Sequence, residues 1–232
     1  MIDGLKALLL DLDGTLIDVK MDKFIPSYFR LLSEFLKEIV PPKILVSRLM
    51  KVSKVVENND GSKTNEEAYA EEFFPLDGHT QEELEPLFDE FYQKEFPKLK
   101  IYTHELPEAK KVVQKAFDKS YDVIIATTPL LPRIAITKRL QWAGVADFPY
   151  TLITSYENCT ATKPNLLYYE EILTKLNQSA INCLMVGDED KDMVARKLGI
   201  KTFFIENSTY KLNEDTPEPD YRGNLKDLLN LI

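Results

Sequence analysis

The stretch Leu5-Lys6-Ala7-Leu8-Leu9-Leu10-Asp11-Leu12-Asp13-Gly14-Thr15 decides how the rest of the chain is read. An apolar run ends in two carboxylates one residue apart, and a Gly-Thr turn follows. Side chains alternate between the faces of a strand, so Asp11 and Asp13 would share a face if the strand ran on. If it ends at Asp11 and turns at Gly14, both acids can point into one crevice. Two like charges at the end of a buried strand repel each other. A divalent cation would offset that repulsion, leaving one acid to act as nucleophile and the other as proton donor. The same residues also spell a strand followed by an acidic turn, because Asp and Gly are ordinary turn residues. The stretch alone leaves both readings open.

Downstream, the pattern becomes helical. Residues 23–39, 43–56, 65–74 and 81–95 carry apolar positions at helical spacing, separated by Pro41-Pro42, by Asn58-Asn59-Asp60-Gly61-Ser62 and by Pro75-Leu76-Asp77-Gly78. Thr64 with Glu67, and Thr80 with Glu83, have the spacing of capping boxes. No β-rich run interrupts residues 16–100, so this reads as an all-helical block inserted after the first strand. Strands and helices then alternate. Strands are predicted at 121–126, 150–154, 182–186 and 201–205, and helices at 107–119, 132–143, 165–177, 192–198 and 225–231, with a polar loop over 207–220. Such alternation implies an α/β fold with a doubly wound parallel sheet.

Bulk composition narrows the function. The 232 residues are 44% hydrophobic, enough for a proper core. A net charge of −9 argues against non-specific binding to nucleic acid or an anionic membrane, which both favour a basic surface. It does not argue against a phosphorylated substrate, which a metal and a few lysines can serve locally. Cys159 and Cys183 form no CxxC pattern and suit a reducing cytosol. No apolar stretch reaches the roughly 18 residues of a membrane helix, and no signal-peptide pattern opens the chain. The expectation is a soluble cytoplasmic protein.

Reactive side chains fall at the strand ends. The first strand ends in Asp11 and Asp13, the second in Thr127 and Thr128, and the fourth in Asp188 with Asp192 four residues on; Lys163 lies in the loop after the third. Open α/β sheets bind ligands outside the carboxyl ends of their strands, so these residues should converge. Each has a plainer reading by itself. Thr127 could cap or turn, Lys163 could be solvated surface, and the acids from Asp188 to Asp192 could be a helix start favoured by its dipole.

Taken together, the sequence resembles the phosphatase-like majority of the haloacid dehalogenase superfamily. The resemblance rests on Asp11-Leu12-Asp13-Gly14-Thr15, on Thr127 after Val123-Ile124-Ile125-Ala126, on Lys163-Pro164, and on Gly187-Asp188-Glu189-Asp190-Lys191-Asp192. It implies a Rossmann-like core over residues 1–15 and 105–232, with a mobile cap domain over 16–104. Many relatives have Asn where Thr128 stands. The resemblance also implies roles. Asp11 would attack phosphorus and form an aspartyl-phosphate. Asp13 would protonate the leaving oxygen and then activate water. Thr127, Thr128 and Lys163 would bind the phosphoryl group. Mg²⁺ would be held by Asp11, the Asp13 backbone carbonyl and Asp188, with Asp192 direct or one layer out.

Asp13 separates reaction types, since displacing halide needs no leaving-group proton and the dehalogenases of the superfamily lack this acid. The expectation is a Mg²⁺-dependent phosphatase acting on a small phosphorylated metabolite. Alternatives are a mutase of the β-phosphoglucomutase kind and a catalytically silent partner-binding relative. A response-regulator receiver domain fits poorly, because the third strand ends in Thr154-Ser155 rather than Asp. Within the cap, residues 17–24, Arg48, Lys51 and Asp77-Gly78-His79 are possible specificity positions. Phe88, Phe91, Tyr92 and Phe96 read as a packing face. His79 and His104 read as loop residues, and Glu189 and Asp190 as solvent-facing.

Overall fold

A computed structural model describes residues 2–206 and 210–232. Its centre is a six-stranded sheet built from β1 (Ala7–Leu10), β4 (Asp122–Ile125), β5 (Leu152–Ile153), β6 (Cys183–Gly187), β7 (Lys201–Ile205) and β8 (Tyr221–Gly223). The spatial order is β5-β4-β1-β6-β7-β8, and every neighbouring pair is parallel. β1 is wholly buried. Its Leu8 and Leu10 join one apolar cluster, while Ala7 and Leu9 join the cluster on the opposite face of the sheet. That two-sided burial is why this strand reads as a continuous apolar run rather than an alternating one. Helices α5 (Pro107–Asp118), α6 (Arg133–Trp142), α7 (Leu166–Leu176), α8 (Asp190–Met193) and α9 (Leu225–Leu231) connect or follow the strands.

From β1 the winding runs outward through β4 and β5, then returns to β6 and runs the other way through β7 and β8. The direction therefore reverses beside β1, which is where such sheets open a crevice. Register aligns Leu10 with Ile125 on one side and Val186 on the other. The Asp11 N–H donates to the Val186 carbonyl at 2.9 Å, and the Ala126 N–H to the Leu10 carbonyl at 2.7 Å. Asp11, Thr127 and Asp188 thus leave three adjacent strands at one level.

A helical cap of α1 (Met21–Leu36), α2 (Pro42–Glu57), α3 (Asn65–Phe73) and α4 (Gln81–Lys94) lies between β1 and β4 in the chain. Both cap signals seen in the sequence form. The Thr64 and Thr80 N–H groups donate to Glu67 and Glu83 at 2.7 and 2.9 Å. The block is not free of β structure, however. β2 (Ile17–Val19) and β3 (Thr103–Glu105) pair antiparallel at the two points where the chain enters and leaves the helices. Three-residue strands are too short to show a period of two, and one of them holds His104, expected in a loop. A 3₁₀ turn over Phe96–Tyr102 and strand β8 were likewise not foreseen. Of the polar loop over 207–220, residues 210–220 form neither helix nor strand, and 207–209 lie outside the described residues.

Candidate active site

The ends of β1, β4 and β6 bring the predicted residues together. Asp11 is 4% exposed, Thr127 3%, Lys163 3% and Asp192 fully buried. Lys163 Nζ, supplied by the loop after β5, donates to Asp11 Oδ1 at 2.7 Å and to Asp192 Oδ1 at 2.5 Å. The second oxygen of Asp192 accepts the Glu189 N–H at 3.1 Å. A lysine here spans strands one and six because a buried ammonium needs carboxylate partners, and the fold supplies two.

Carboxylate oxygens of Asp11, Asp188 and Asp192 all lie within 4.8 Å of one another. Burial, reinforced by Asp11 and Asp192, pushes the Asp188 carboxyl up to about 8. Burial pushes Asp192 up to about 6 despite the pull of Lys163. Burial would lower Lys163, but Asp11 and Asp192 outweigh it and hold the ammonium above the ordinary lysine range. One ammonium therefore does not neutralise three acids. A hard, oxygen-liganded divalent cation fits this donor set, and it would relieve the crowding.

Two glycines let the acids approach. Gly14 has φ +84°, and a Cβ there would collide with the Asp188 carboxylate. A Cβ on Gly187 would collide with Asp192. The loop geometry between β1 and β2 is set by the Gly14 N–H, which donates to the Ile17 carbonyl at 2.8 Å.

Asp13 sits apart from the three-acid cluster, its carboxylate hydrogen-bonded to Arg139. Burial raises the Asp13 carboxyl, and Arg139 opposes the rise. Arg139, on α6, is 5% exposed and was not anticipated. In Arg133-Ile134-Ala135-Ile136-Thr137-Lys138-Arg139 it reads as one more basic residue on a helix surface. Three buried polar atoms here, Asp13 Oδ1, Arg139 Nε and Thr128 Oγ1, have no hydrogen-bond partner among the described residues. Thr127 offers its carbonyl to Thr154 Oγ1 at 2.7 Å and to the Tyr168 hydroxyl at 3.0 Å, which fixes the backbone after β4.

A cavity of about 460 Å³ opens above Asp11, Asp13, Thr127, Thr128 and Asp188 and is roofed by the cap. Lys163 and Asp192 do not line it; they lie beneath, buttressing Asp11. Of the anticipated cap positions, Val19, Met21 and Phe24 face the cavity. Arg48 is instead bonded to the Glu72 and Phe73 carbonyls, Lys51 pairs with Glu72, and Asp77 to His79 lie away from it. The aromatic stretch divides. Phe91 and Phe96 are core, Phe88 lines the cavity, and Tyr92 is buried in the core and also lines it. Glu189 also lines it, half-buried and paired with Lys191 at 2.5 Å, and Asp190 is tied to Asn213 and Thr216.

A family model described as "haloacid dehalogenase-like hydrolase" matches residues 5–199. The chain belongs to that family. It is 28% identical over 152 residues to a phosphoglycolate phosphatase of Vibrio vulnificus, a match spanning 63% of this chain and 63% of the relative. Its fold is similar to that of the HAD-hydrolase YfnB from Bacillus subtilis, solved bound to magnesium, with TM-score 0.58 and 20% identity, covering 98% of each chain. It is also similar to that of the L-2-haloacid dehalogenase of Xanthobacter autotrophicus, with TM-score 0.62 and 14% identity, again covering 98% of each chain. The shared fold therefore does not by itself choose the chemistry. No helix among the described residues is long and apolar enough to cross a membrane.

Proposed function

We propose that this chain is a Mg²⁺-dependent phosphatase that hydrolyses a small phosphorylated metabolite through an aspartyl-phosphate on Asp11. The observation that carries the reading is the pairing of a buried strand-end Asp11 with a second acid, Asp13, held separately by Arg139. A dehalogenase has no use for that second acid. The relatives named phosphoglycolate phosphatase support phosphoester chemistry, and the magnesium-bound B. subtilis relative supports the metal.

Asp11 attacks phosphorus in line with the ester oxygen. A bond forms from Asp11 to phosphorus and the ester P–O bond breaks. Asp13, whose carboxyl burial raises against the pull of Arg139, gives a proton to the departing alkoxide. Asp13 then takes a proton from the water that attacks phosphorus, and free phosphate leaves as Asp11 is restored. The Thr127 and Thr128 hydroxyls bind phosphoryl oxygens, while Lys163, beneath the cavity, holds Asp11 for attack. Asp11, Asp188 and the Asp13 carbonyl would hold the ion, with Asp192 orienting Lys163 behind them. Mg²⁺ supplies charge neutralisation for the phosphoryl oxygens.

Residues 1–15 and 105–232 form the catalytic core in this reading, and 16–104 the cap. Two free, buried cysteines support a reducing cytoplasmic setting, and the −9 net charge supports a small-molecule partner rather than nucleic acid. The test is phosphate release from p-nitrophenyl phosphate, with and without Mg²⁺, by the native chain and by Asp11→Asn. Metal-dependent turnover confined to the native chain is expected. Equal turnover by the two proteins would overturn the assignment.

A further inference from the structure

The composition of the cavity roof says what kind of alcohol the phosphate is attached to, given the phosphatase reading above. The cap contributes rings to it: Phe24 and Tyr28 from α1, Tyr69 from α3, and Phe88 and Tyr92 from α4. The core adds the apolar Leu130, Leu131 and Ile134 on the facing side. Tyr28 and Tyr92 satisfy each other, their hydroxyls lying 3.0 Å apart, so these two polar tips are already partnered. The walls therefore offer broad flat apolar surface.

Charge in the roof has one sign. The cap lines the cavity with four carboxylates, Glu57, Glu66, Glu85 and Asp89, and, among the described residues, with no lysine or arginine. The cavity's two cations, Arg139 and Lys191, come from the core, and each is already paired, with Asp13 and Glu189 respectively. Burial, with Glu157 and Glu85 nearby, pushes the half-buried Glu66 carboxyl up. A second anionic group on the substrate, beyond the phosphate, would find repulsion here rather than a partner.

We infer that the alcohol part of the substrate is apolar, ring-bearing and without negative charge, so that this site takes an arylalkyl-type phosphomonoester and discriminates against a carboxylate-bearing one such as phosphoglycolate. The three outer acids, Glu57, Glu85 and Asp89, are exposed at the rim and act as a screen at the entrance, while the rings inside supply the contact. This separates the chain from the specificity written in the names of its Vibrio relatives.

The experiment compares kcat/KM, with Mg²⁺ present, for 2-phenylethyl phosphate, ethyl phosphate, phosphoglycolate and phosphocholine. All four release alkyl alcohols or a close equivalent, which limits the contribution of leaving-group acidity. The expected order places 2-phenylethyl phosphate at least ~10-fold above the other three, as one ring in an apolar pocket can give. Phe88→Ala should lower kcat/KM for 2-phenylethyl phosphate severalfold, mainly through KM, and change ethyl phosphate little; a misfolded variant would lose both alike. Phosphoglycolate equal to or better than 2-phenylethyl phosphate overturns the inference and leaves the phosphatase reading standing. Preference for phosphocholine overturns it in favour of a cationic alcohol. Failure of all four substrates and of p-nitrophenyl phosphate overturns the phosphatase reading, and the inference with it.

Discussion

The floor of the cavity is held by backbone register, and its roof by side-chain packing. On the floor, Asp11 and Asp188 follow strands whose ladder bonds fix their level, and Lys163 is locked between two carboxylates. In the roof, Phe24, Tyr28, Phe91, Tyr92 and Phe96 form one mesh of edge-to-face and tilted rings 5.4–6.1 Å apart. Some of those rings serve the core and others serve the cavity, with nothing in residue type to tell them apart. Chemistry in this molecule is assigned to the rigid part, and selectivity to a part that can be repacked without disturbing the sheet.

The largest way to break the contrast is at the floor. Asp11→Asn removes the proposed nucleophile, and kcat on p-nitrophenyl phosphate should fall by ~10³-fold or more, read in a steady-state assay on protein whose circular dichroism is unchanged. Next comes Lys163→Met, which strands Asp11 and Asp192 as buried unpaired acids. It should cost about 3–5 kcal/mol in urea unfolding. A loss under 1 kcal/mol would mean the floor is softer than its geometry says.

The roof is tested by a matched pair. Phe91→Ala, at a fully buried ring, should cost about 3–5 kcal/mol. Phe88→Ala, at a half-buried one, should cost about half that or less in stability and appear chiefly in KM. Equal stability losses would erase the distinction between core and wall. Between floor and roof stands Arg139. Arg139→Gln should leave Asp13 poorly oriented and lower kcat by ~10–100-fold, with a smaller change in KM.

The smallest effect concerns the ion. Without metal, Asp188 has a folded value near 8 against an ordinary 3.8, so the folded chain keeps a proton that the unfolded chain has released. The stability this group contributes is complete below about pH 4 and is lost as pH rises through about 8. Mg²⁺ needs the carboxylate deprotonated and binds the folded chain. Thermal unfolding followed by fluorescence should therefore show Mg²⁺ raising Tm, and raising it more at pH 8 than at pH 6. An unchanged Tm at both values would remove the ion from the site.

This contrast also explains what could be read in advance. A polar residue directly after an apolar run is visible in one dimension, so the positions of Asp11, Thr127 and Asp188 could be read from their strands. Lys163 was legible only through its place in the loop after the third strand, because nothing local distinguishes it from a solvated lysine. Arg139 stayed hidden, since its burial arises only when α6 packs against the 3₁₀ turn and β3 and its guanidinium meets Asp13. Phe88 and Tyr92 pack as helical spacing predicts and also line the cavity, because that spacing places a ring on a face without saying whether the face meets a neighbour, a void or both. Four of the strands legible in the sequence hold four or five residues, and the two-residue β5 was legible as part of the longer run 150–154, whereas β2, β3 and β8 hold three residues each and stand in no such run.

The β2–β3 ribbon has a mechanical consequence. Both strands linking the helical block to the sheet are hydrogen-bonded to each other, from Ile17 against Glu105 to Val19 against Thr103. Such a ribbon resists sliding of one link past the other, so the two act as a single strap that bends more readily than it shears. Its near end is stitched to Asp13 through the Asp13–Ile17 bridge and the Gly14–Ile17 hydrogen bond. Any swing of the roof would thus pull on the loop that carries the proposed proton donor, so that closing over a substrate and aiming the acid would become one movement.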